Sequence, residues 1–505
     1  MKGSRRWGAL ATVCVVGAVW CGEASGQARR ANYDGVLLGE RSTGLGGAYT
    51  AVADDAAAFY YNPAGLVQIP RSGLSLSANT YGYRRSVAQG ALSSPSESKD
   101  LVEEGLQIFP NSVVYVLPLG IRRKGGLRHA VALGFMVPLA YSYEGSQNLS
   151  LPEAGDSSDV YTAIDEVTYQ AGAAYSLRLG PVMFGASVLA LYANLSEQEH
   201  YIETLSDSES ADRYQSFSNT NATYLGLTGD FGALWYPGGE VGDGFSVGLK
   251  VGFPAGKLWS NASVSAGESA SSISRDFDDP DKLVVDELYQ DVYRELAGTS
   301  TLRRPWQFSL GAAWRAPSGL LFSSDVRLYL PTEEYALVGG TLQEPNRSSL
   351  ELSDEFTDLI RGIDLRIFEP EHGLVINGAL GASIPVTEEY ALLAGAFTDF
   401  SAITDAVYEE TGVDQIDRFG ATLGVRKGDD SHTLTIATVG RYGAGRSPGF
   451  AYDGDGFPDD YDAELVEWSV TLVVAGTAVL GDDEEEALPP AGDGATEASE
   501  ASDGR

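Results

Sequence analysis

From Pro70 onward, apolar and polar residues alternate with a period of two, the mark of strands with one greasy and one wet face. Trp306 to Arg315 is the clearest case. Trp306, Phe308, Leu310, Ala312 and Trp314 fall on one side; Gln307, Ser309, Gly311, Ala313 and Arg315 fall on the other. Gly319 to Leu330 repeats it, with Leu320, Phe322, Val326 and Leu328 opposing Ser323, Asp325, Arg327 and Tyr329. Near the C-terminus, Val466, Trp468, Val470, Leu472 and Val474 oppose Glu467, Ser469 and Thr471. Trp306 and Trp314 are separated by roughly 26 Å of extended chain, or about 19 Å of height at a ~45° tilt, close to the spacing of the two aromatic girdles of a membrane barrel. A soluble sandwich would pack the apolar faces inside, whereas a barrel turns them to lipid. The girdle spacing, the strand number and an export signal favour the barrel.

On this basis the chain is all-β, a transmembrane antiparallel barrel of about fourteen strands. They are expected near 71–85, 109–120, 128–141, 163–179, 181–195, 218–236, 244–258, 305–316, 319–331, 373–385, 390–400, 417–428, 432–444 and 464–480. Short connections (Arg122 to Leu127, Leu179-Gly180, Ala316 to Ser318, Pro385 to Glu389, Gly428 to Ser431) alternate with long polar ones (Ser86 to Phe109, Asn194 to Phe217, Ser260 to Arg304, Thr332 to His372, Gly445 to Ala463). Short turns on one rim and long loops on the other are the barrel habit, the short turns periplasmic. Within the longest loop, Val284, Leu288, Val292 and Leu296 recur at a spacing of four. That predicts an amphipathic helix over 283–296, which either caps its own loop or lines an entry groove.

The N-terminus changes the picture by supplying a destination. Lys2, Arg5 and Arg6 precede an apolar run from Trp7 to Trp20 and the small residues Ala24-Ser25-Gly26, the layout of a cleaved secretory signal over residues 1–26. Lipid attachment at Cys21 is the poorer reading, because bulky Trp20 precedes it. Both cysteines, Cys14 and Cys21, lie in this leader, so the mature chain is expected to hold no thiol and no disulfide. With 34 Lys+Arg against 70 Asp+Glu the chain is strongly acidic, which argues against nucleic acid as a partner. Residues 481–505, with Asp482-Asp483-Glu484-Glu485-Glu486, read as a disordered acidic periplasmic tail.

Between leader and strands lies Gly39 to Leu66, rich in Gly and Ala and too small-residued to build a core of its own. Its runs Gly44-Leu45-Gly46-Gly47-Ala48-Tyr49, Ala53-Asp54-Asp55-Ala56 and Asn62-Pro63-Ala64 resemble the N-terminal hatch of the FadL/TodX family of outer-membrane channels for long-chain fatty acids and hydrocarbons. Val375-Ile376-Asn377-Gly378, Leu392 to Asp399, and Asp414 to Phe419 are similar to later pieces of that family. The resemblance implies a hatch over 27–70, carried by Asn62, Pro63, Ala64, Asp54 and Asp55, that plugs a barrel over 71–480. It also implies that ligand enters among outer loops and leaves sideways through a kink in the third strand. Gly134 and Pro138 are the residues there. Proline cannot donate to a ladder, so Pro138 marks either a lateral opening or simply a strand end. The family's chains usually finish at the last strand; this one continues past Leu480.

Candidate chemistry is sparse. Gly244-Phe245-Ser246-Val247-Gly248 fits the nucleophile-elbow spacing but sits in an alternating strand instead of a strand–turn–helix. His129, His200, His372 and His432 are scattered, never at metal-ligand spacing, so no enzyme is expected. Asp453, Asp455, Asp459 and Asp460, interleaved with glycines, could aim oxygens at a structural Ca²⁺, although Ala451 stands where a further aspartate would; a solvated acidic turn is the alternative. Arg327 and Asp325 face the same way on one strand. There they either meet a ligand carboxylate in the lumen or pair internally to hold the hatch.

The expected function is passive uptake of long-chain fatty acids or other small hydrophobic molecules across the outer membrane of a Gram-negative-type bacterium. The expected partners are membrane lipid and the apolar ligand, with the protein a monomer and no cofactor beyond the possible Ca²⁺. The competing reading is a structural or secretion-associated barrel that binds proteins and transports nothing.

Overall fold

The computed structural model describes residues 31–93, 97–109, 112–119, 128–150, 157–206, 210–238, 244–275, 283–342, 346–347, 365–429, 431–452 and 458–480. The leader at 1–26, the tail at 481–505 and Asp453 and Asp455 lie outside them. Asp459 and Asp460 are described only as strand backbone.

The chain closes into a fourteen-stranded antiparallel barrel. Its strands are β1 (Gly73–Ser93), β2 (Ser98–Phe109 and Ser112–Leu119), β3 (Arg128–Ser150), β4 (Ser157–Leu179), β5 (Val182–Ser206), β6 (Ser210–Trp235) and β7 (Gly244–Gly252 and Gly256–Arg275). There follow β8 (Leu283–Ser300 and Gln307–Arg315), β9 (Leu321–Tyr329, Tyr335–Leu342 and Asn346–Arg347), β10 (Ile367–Glu369 and Val375–Pro385), β11 (Tyr390–Asp399), β12 (Gln415–Gly428), β13 (His432–Tyr452) and β14 (Pro458–Val479). β14 pairs with β1 from Gly73↔Val479 to Gln89↔Glu464, which shuts the cylinder.

Alternation sets inside and outside as the sequence predicts. Trp306, Leu310 and Trp314 are exposed on the outer surface, while Gln307, Ser309, Asp325, Arg327 and Glu467 are buried within. The outer apolar belt is bounded by aromatic residues in register on neighbouring strands. Phe245, Trp314 and Phe322 stand towards the short-turn rim, and Phe419, Tyr442 and Trp468 towards the other.

Two expectations fail, for one reason. The segment 283–296 is not a helix but part of β8, paired with β7 from Leu283↔Arg275 to Gly298↔Ala262. A spacing of four is also twice the strand period, and Val284, Val285, Tyr289, Val292 and Tyr293 suit a strand better than a helix. Likewise, much of the polar stretches 86–109, 194–217, 260–304 and 445–463 is strand, not loop. Above the belt a strand no longer needs a greasy outer face, so polarity no longer signals a loop there. The neighbouring strands still satisfy the backbone. The GFSVG run lies in β7, with Ser246 buried and donating to the Ala51 carbonyl at 2.9 Å.

Candidate functional site: a lumen filled by the N-terminal segment

Residues 31–70 run through the lumen as short turns and helices, α1 (Arg41–Gly44), α2 (Ala58–Tyr61) and a 3₁₀ helix (Pro63–Gln68). Small residues let this segment fold without a core of its own, because the barrel wall supplies one. Leu38, Leu45, Tyr49, Phe59, Tyr61 and Leu66 are buried against Val116, Met136, Met183, Leu189 and Leu234 of the wall. The backbone comes so close that wall glycines are required. A Cβ at Gly381 would lie 2.7 Å from the Leu45 carbonyl oxygen, and one at Gly311 would lie 2.8 Å from the Ala51 nitrogen. Gly46 and Gly47 take positive φ values of 63° and 78° to turn the segment between them.

Asn62 is fully buried and organises one bend. Its Oδ1 accepts from Ala64 N at 3.2 Å, capping the 3₁₀ helix, and Pro63 occupies the first position, where no N–H is needed. Its Nδ2 donates to the carbonyls of Thr50 at 2.8 Å and, in β6, Ala233 at 3.1 Å. Asp54 bonds Arg41 of the segment at 2.7 Å, Tyr49 OH at 2.8 Å and Arg315 of the wall. Burial alone would raise the Asp54 carboxyl, but the Arg41 and Arg315 charges outweigh it and hold it well below the usual carboxylate range. Asp55 has no such pair. Burial, then the Asp54 and Glu40 charges, push it up to about 6.

Arg327 and Asp325 both turn inward, and both engage the segment. Arg327 pairs with Asp34 at 2.8 Å and donates to the Gly47 carbonyl. Asp325 Oδ2 accepts from Tyr49 N at 2.9 Å, Thr50 N at 2.9 Å and Thr50 Oγ1 at 2.7 Å. Glu40 is anchored in turn by Thr433 at 2.7 Å, Thr435 and Thr477 at 3.0 Å, and Arg426 at 3.3 Å.

The third strand is irregular where Pro138 stands. The β3–β4 register slips between Met136 and Leu139, so that Met136 and Val137 are both buried. On its other side β3 pairs with β2 only from Leu119↔His129 to Ser112↔Met136. Among the described residues no ladder joins Ser98–Phe109 to the part of β3 beyond Met136. Side chains bridge instead. Tyr141 OH donates to Glu103 at 3.2 Å, and Arg84 of β1 donates to Glu103 at 2.7 Å and to Tyr141 OH at 2.9 Å. Gly134, below the break, makes room for Phe59 of α2; a Cβ there would come within 2.6 Å of the ring.

Beside this unpaired stretch is a cavity of about 100 Å³. Its apolar wall includes Val36, Leu37, Leu139 and Val473, and its polar wall has Arg84, Arg418, Arg441 and Glu467. Glu467 takes Arg418 Nε at 2.8 Å and Nη2 at 3.1 Å, with Arg84 Nη1 at 3.4 Å. Arg441 lies over the Phe397 ring at 5.4 Å, and its Nε is buried without a hydrogen-bond partner. The lining thus holds three guanidinium groups and one carboxylate, with Glu103 on Arg84 and Asp399 near Arg418 and Arg441 just behind it. The sequence reading did not single out Arg84 or Arg441. Their inward phase on alternating strands was the available signal, but their convergence depends on barrel closure.

Among the described residues no group of three His, Cys, Asp or Glu is placed to hold a metal. His129 contacts Tyr175, His200 lies between Tyr161 and Phe217, and His372 pairs with Glu369 at 3.2 Å and Tyr33 OH at 2.8 Å.

No protein-family model and no curated protein matches the sequence. By shape the chain is similar to a Pseudomonas aeruginosa FadL homologue, at 12% identity over 89% of this chain and 100% of that one, with a TM-score of 0.54. It is similar also to the P. putida toluene transporter TodX, at 14% identity over 89% and 100% of the two chains, with a TM-score of 0.56. The fold expected from the resemblance of the N-terminal motifs is therefore the fold of this chain.

Proposed function

We propose that the protein is an outer-membrane channel for passive uptake of small hydrophobic molecules, and that its preferred ligands are amphiphiles with an apolar chain and an anionic head, such as fatty acids. The apolar belt meets lipid, the short turns face the periplasm, and residues 31–70 act as the hatch that stops leakage. The observation that carries this reading is the cavity beside the unpaired β2–β3 stretch, with its apolar wall and, on its polar wall, the buried Arg441 Nε that has no hydrogen-bond partner. A carboxylate in so enclosed a site is drawn to Arg441, whose Nε has no partner, while its chain follows Leu139, Val36 and Val473. A plain aromatic hydrocarbon would leave Arg441 Nε without a partner.

The ladder break gives the ligand a side exit. Ser112 and Met136, where pairing stops, lie below Leu106, which is exposed on the outside. The gap therefore opens within the outer half of the apolar belt. Movement is downhill, driven by the ligand's preference for apolar surroundings.

The test is equilibrium binding of a fluorescent long-chain fatty acid to the purified chain in detergent. Saturable binding that Arg441→Ala weakens about tenfold, the size of one lost charge-assisted contact, supports the reading. Binding indifferent to Arg441→Ala and displaced equally by toluene removes the anionic-head assignment. No saturable binding of either ligand favours a structural barrel.

A further inference from the structure

Above the hatch, the inward faces of β4 to β9 meet in an apolar stretch. Ile164 of β4, Leu195 of β5, Ala222 of β6, Ala262 and Val264 of β7, Leu296 of β8 and Val338 of β9 form one buried cluster, and Tyr141 and Tyr143 of β3 pack against it. Val338 and Leu296 are 0% and 1% exposed, as low as Met183 and Leu234 of the wall packed on the hatch. Ile164, Leu195 and Ala222 share the inward phase of their strands with Ala174, Gly185 and Gly232, which touch the hatch lower down. At Gly232, for example, a Cβ would collide with Asn62.

Three further features narrow the lumen at this height. Four successive strands are interrupted, β7 at 253–255, β8 at 301–306, β9 at 330–334 and β10 at 370–374. At the first two of these interruptions Ala255 and Leu302 turn inward and pack on Leu191, Ala193 and Tyr224. Ser300 Oγ donates to the Thr223 carbonyl at 2.7 Å, joining β8 to β6 past the strand between them. The wall has collapsed on itself there.

We propose that this cluster is a second, apolar seal stacked above the hatch, and that Val264, Leu296 and Val338 set what passes along the axis. An apolar chain can displace such side chains and exchange one greasy contact for another. A hydrated ion or sugar would have to shed water with nothing to replace it. The hatch excludes by filling space; this seal excludes by polarity. The inference rests on the uptake reading for its ligand, but not for its existence.

The test uses the absence of thiols outside Cys14 and Cys21 of the leader. Single-cysteine variants Val264→Cys and Ala262→Cys are compared with Ser142→Cys, whose position is exposed on the outer surface of β3. Correct folding is checked by heat-dependent gel mobility. In intact cells a charged, membrane-impermeant thiol reagent should label Val264→Cys about 100-fold more slowly than Ser142→Cys, while an apolar maleimide should label it readily. Attachment of a bulky apolar group at either inner position should slow fatty-acid uptake. Equal labelling by the charged reagent overturns the seal. Exclusion of that reagent with undiminished uptake after blocking also overturns the proposal, because the ligand then takes another way in. If the parent protein takes up no fatty acid, the uptake reading falls, and the labelling ratio still decides whether the seal exists.

Discussion

At the scale of single residues the lumen is a set of answered polar groups, and the exceptions are informative. Asn62 satisfies three backbone groups from inside a dry site, so Asn62→Ala should leave them orphaned and cost roughly 1–3 kcal/mol of hatch docking. Hydrogen exchange over residues 50–65 should accelerate while the barrel strands stay protected. Asp55 is an exception of the other kind, a carboxyl with acidic neighbours Asp54 and Glu40. Its pKa in the docked hatch, about 6, lies above that of a free carboxyl, so docking binds a proton. The contribution is fully present below about pH 4 and is lost as pH rises through about 6. Asp55→Asn should therefore hold the hatch more firmly at pH 7.5 and flatten the dependence of local exchange on pH. An unchanged profile would show that Asp55 is not the titrating group. Arg327 shows how much of this was legible. Alternation placed it inward on β9, but its pairing with Asp34 is a contact across 293 residues that no local pattern encodes.

Single elements tell a similar story. Every barrel strand has its counterpart in the period-two pattern, because each must keep one face in lipid and the other in the lumen. The pattern loses its grip above the belt, where the outer face need not be greasy. There the spacing of four in Leu283 to Leu296 fits a helix or a strand, and pairing with β7 makes it a strand. The proposed side exit lies at the third strand. Proline at 138 and the slip beside it keep β3 from completing its ladder with β2, so Pro138→Ala should let pairing extend and slow uptake of labelled fatty acid. A wild-type rate would remove the side exit. Tyr141→Phe, which deletes the hydroxyl shared by Arg84 and Glu103, should act in the opposite sense by loosening the bridge across the gap.

For the molecule as a whole, the barrel and hatch are mutually dependent, since the segment lacks a core and the wall lacks a filling. Wall glycines set the fit. Gly381→Val should push against the Leu45 carbonyl, displace the hatch and raise the passage of small polar solutes, unless the upper apolar cluster seals the lumen independently. Conductance of that variant, alone and combined with a polar substitution at Val338, separates the two barriers. The cavity itself was not legible in the sequence. It gathers the hatch, β1, β3 and β12 to β14, which meet only because the last strand closes on the first.

The central claim is that this filled barrel passes greasy molecules and stops wet ones. The most direct measurement is entry into liposomes carrying the purified full chain, comparing a labelled long-chain fatty acid trapped by an internal acyl-activating enzyme with a sugar of similar mass. The account predicts protein-dependent entry of the fatty acid, reduced by Arg441→Ala, with the sugar at the rate of empty liposomes. Fatty-acid entry no faster than in empty liposomes, or sugar entry that matches it, would contradict the account.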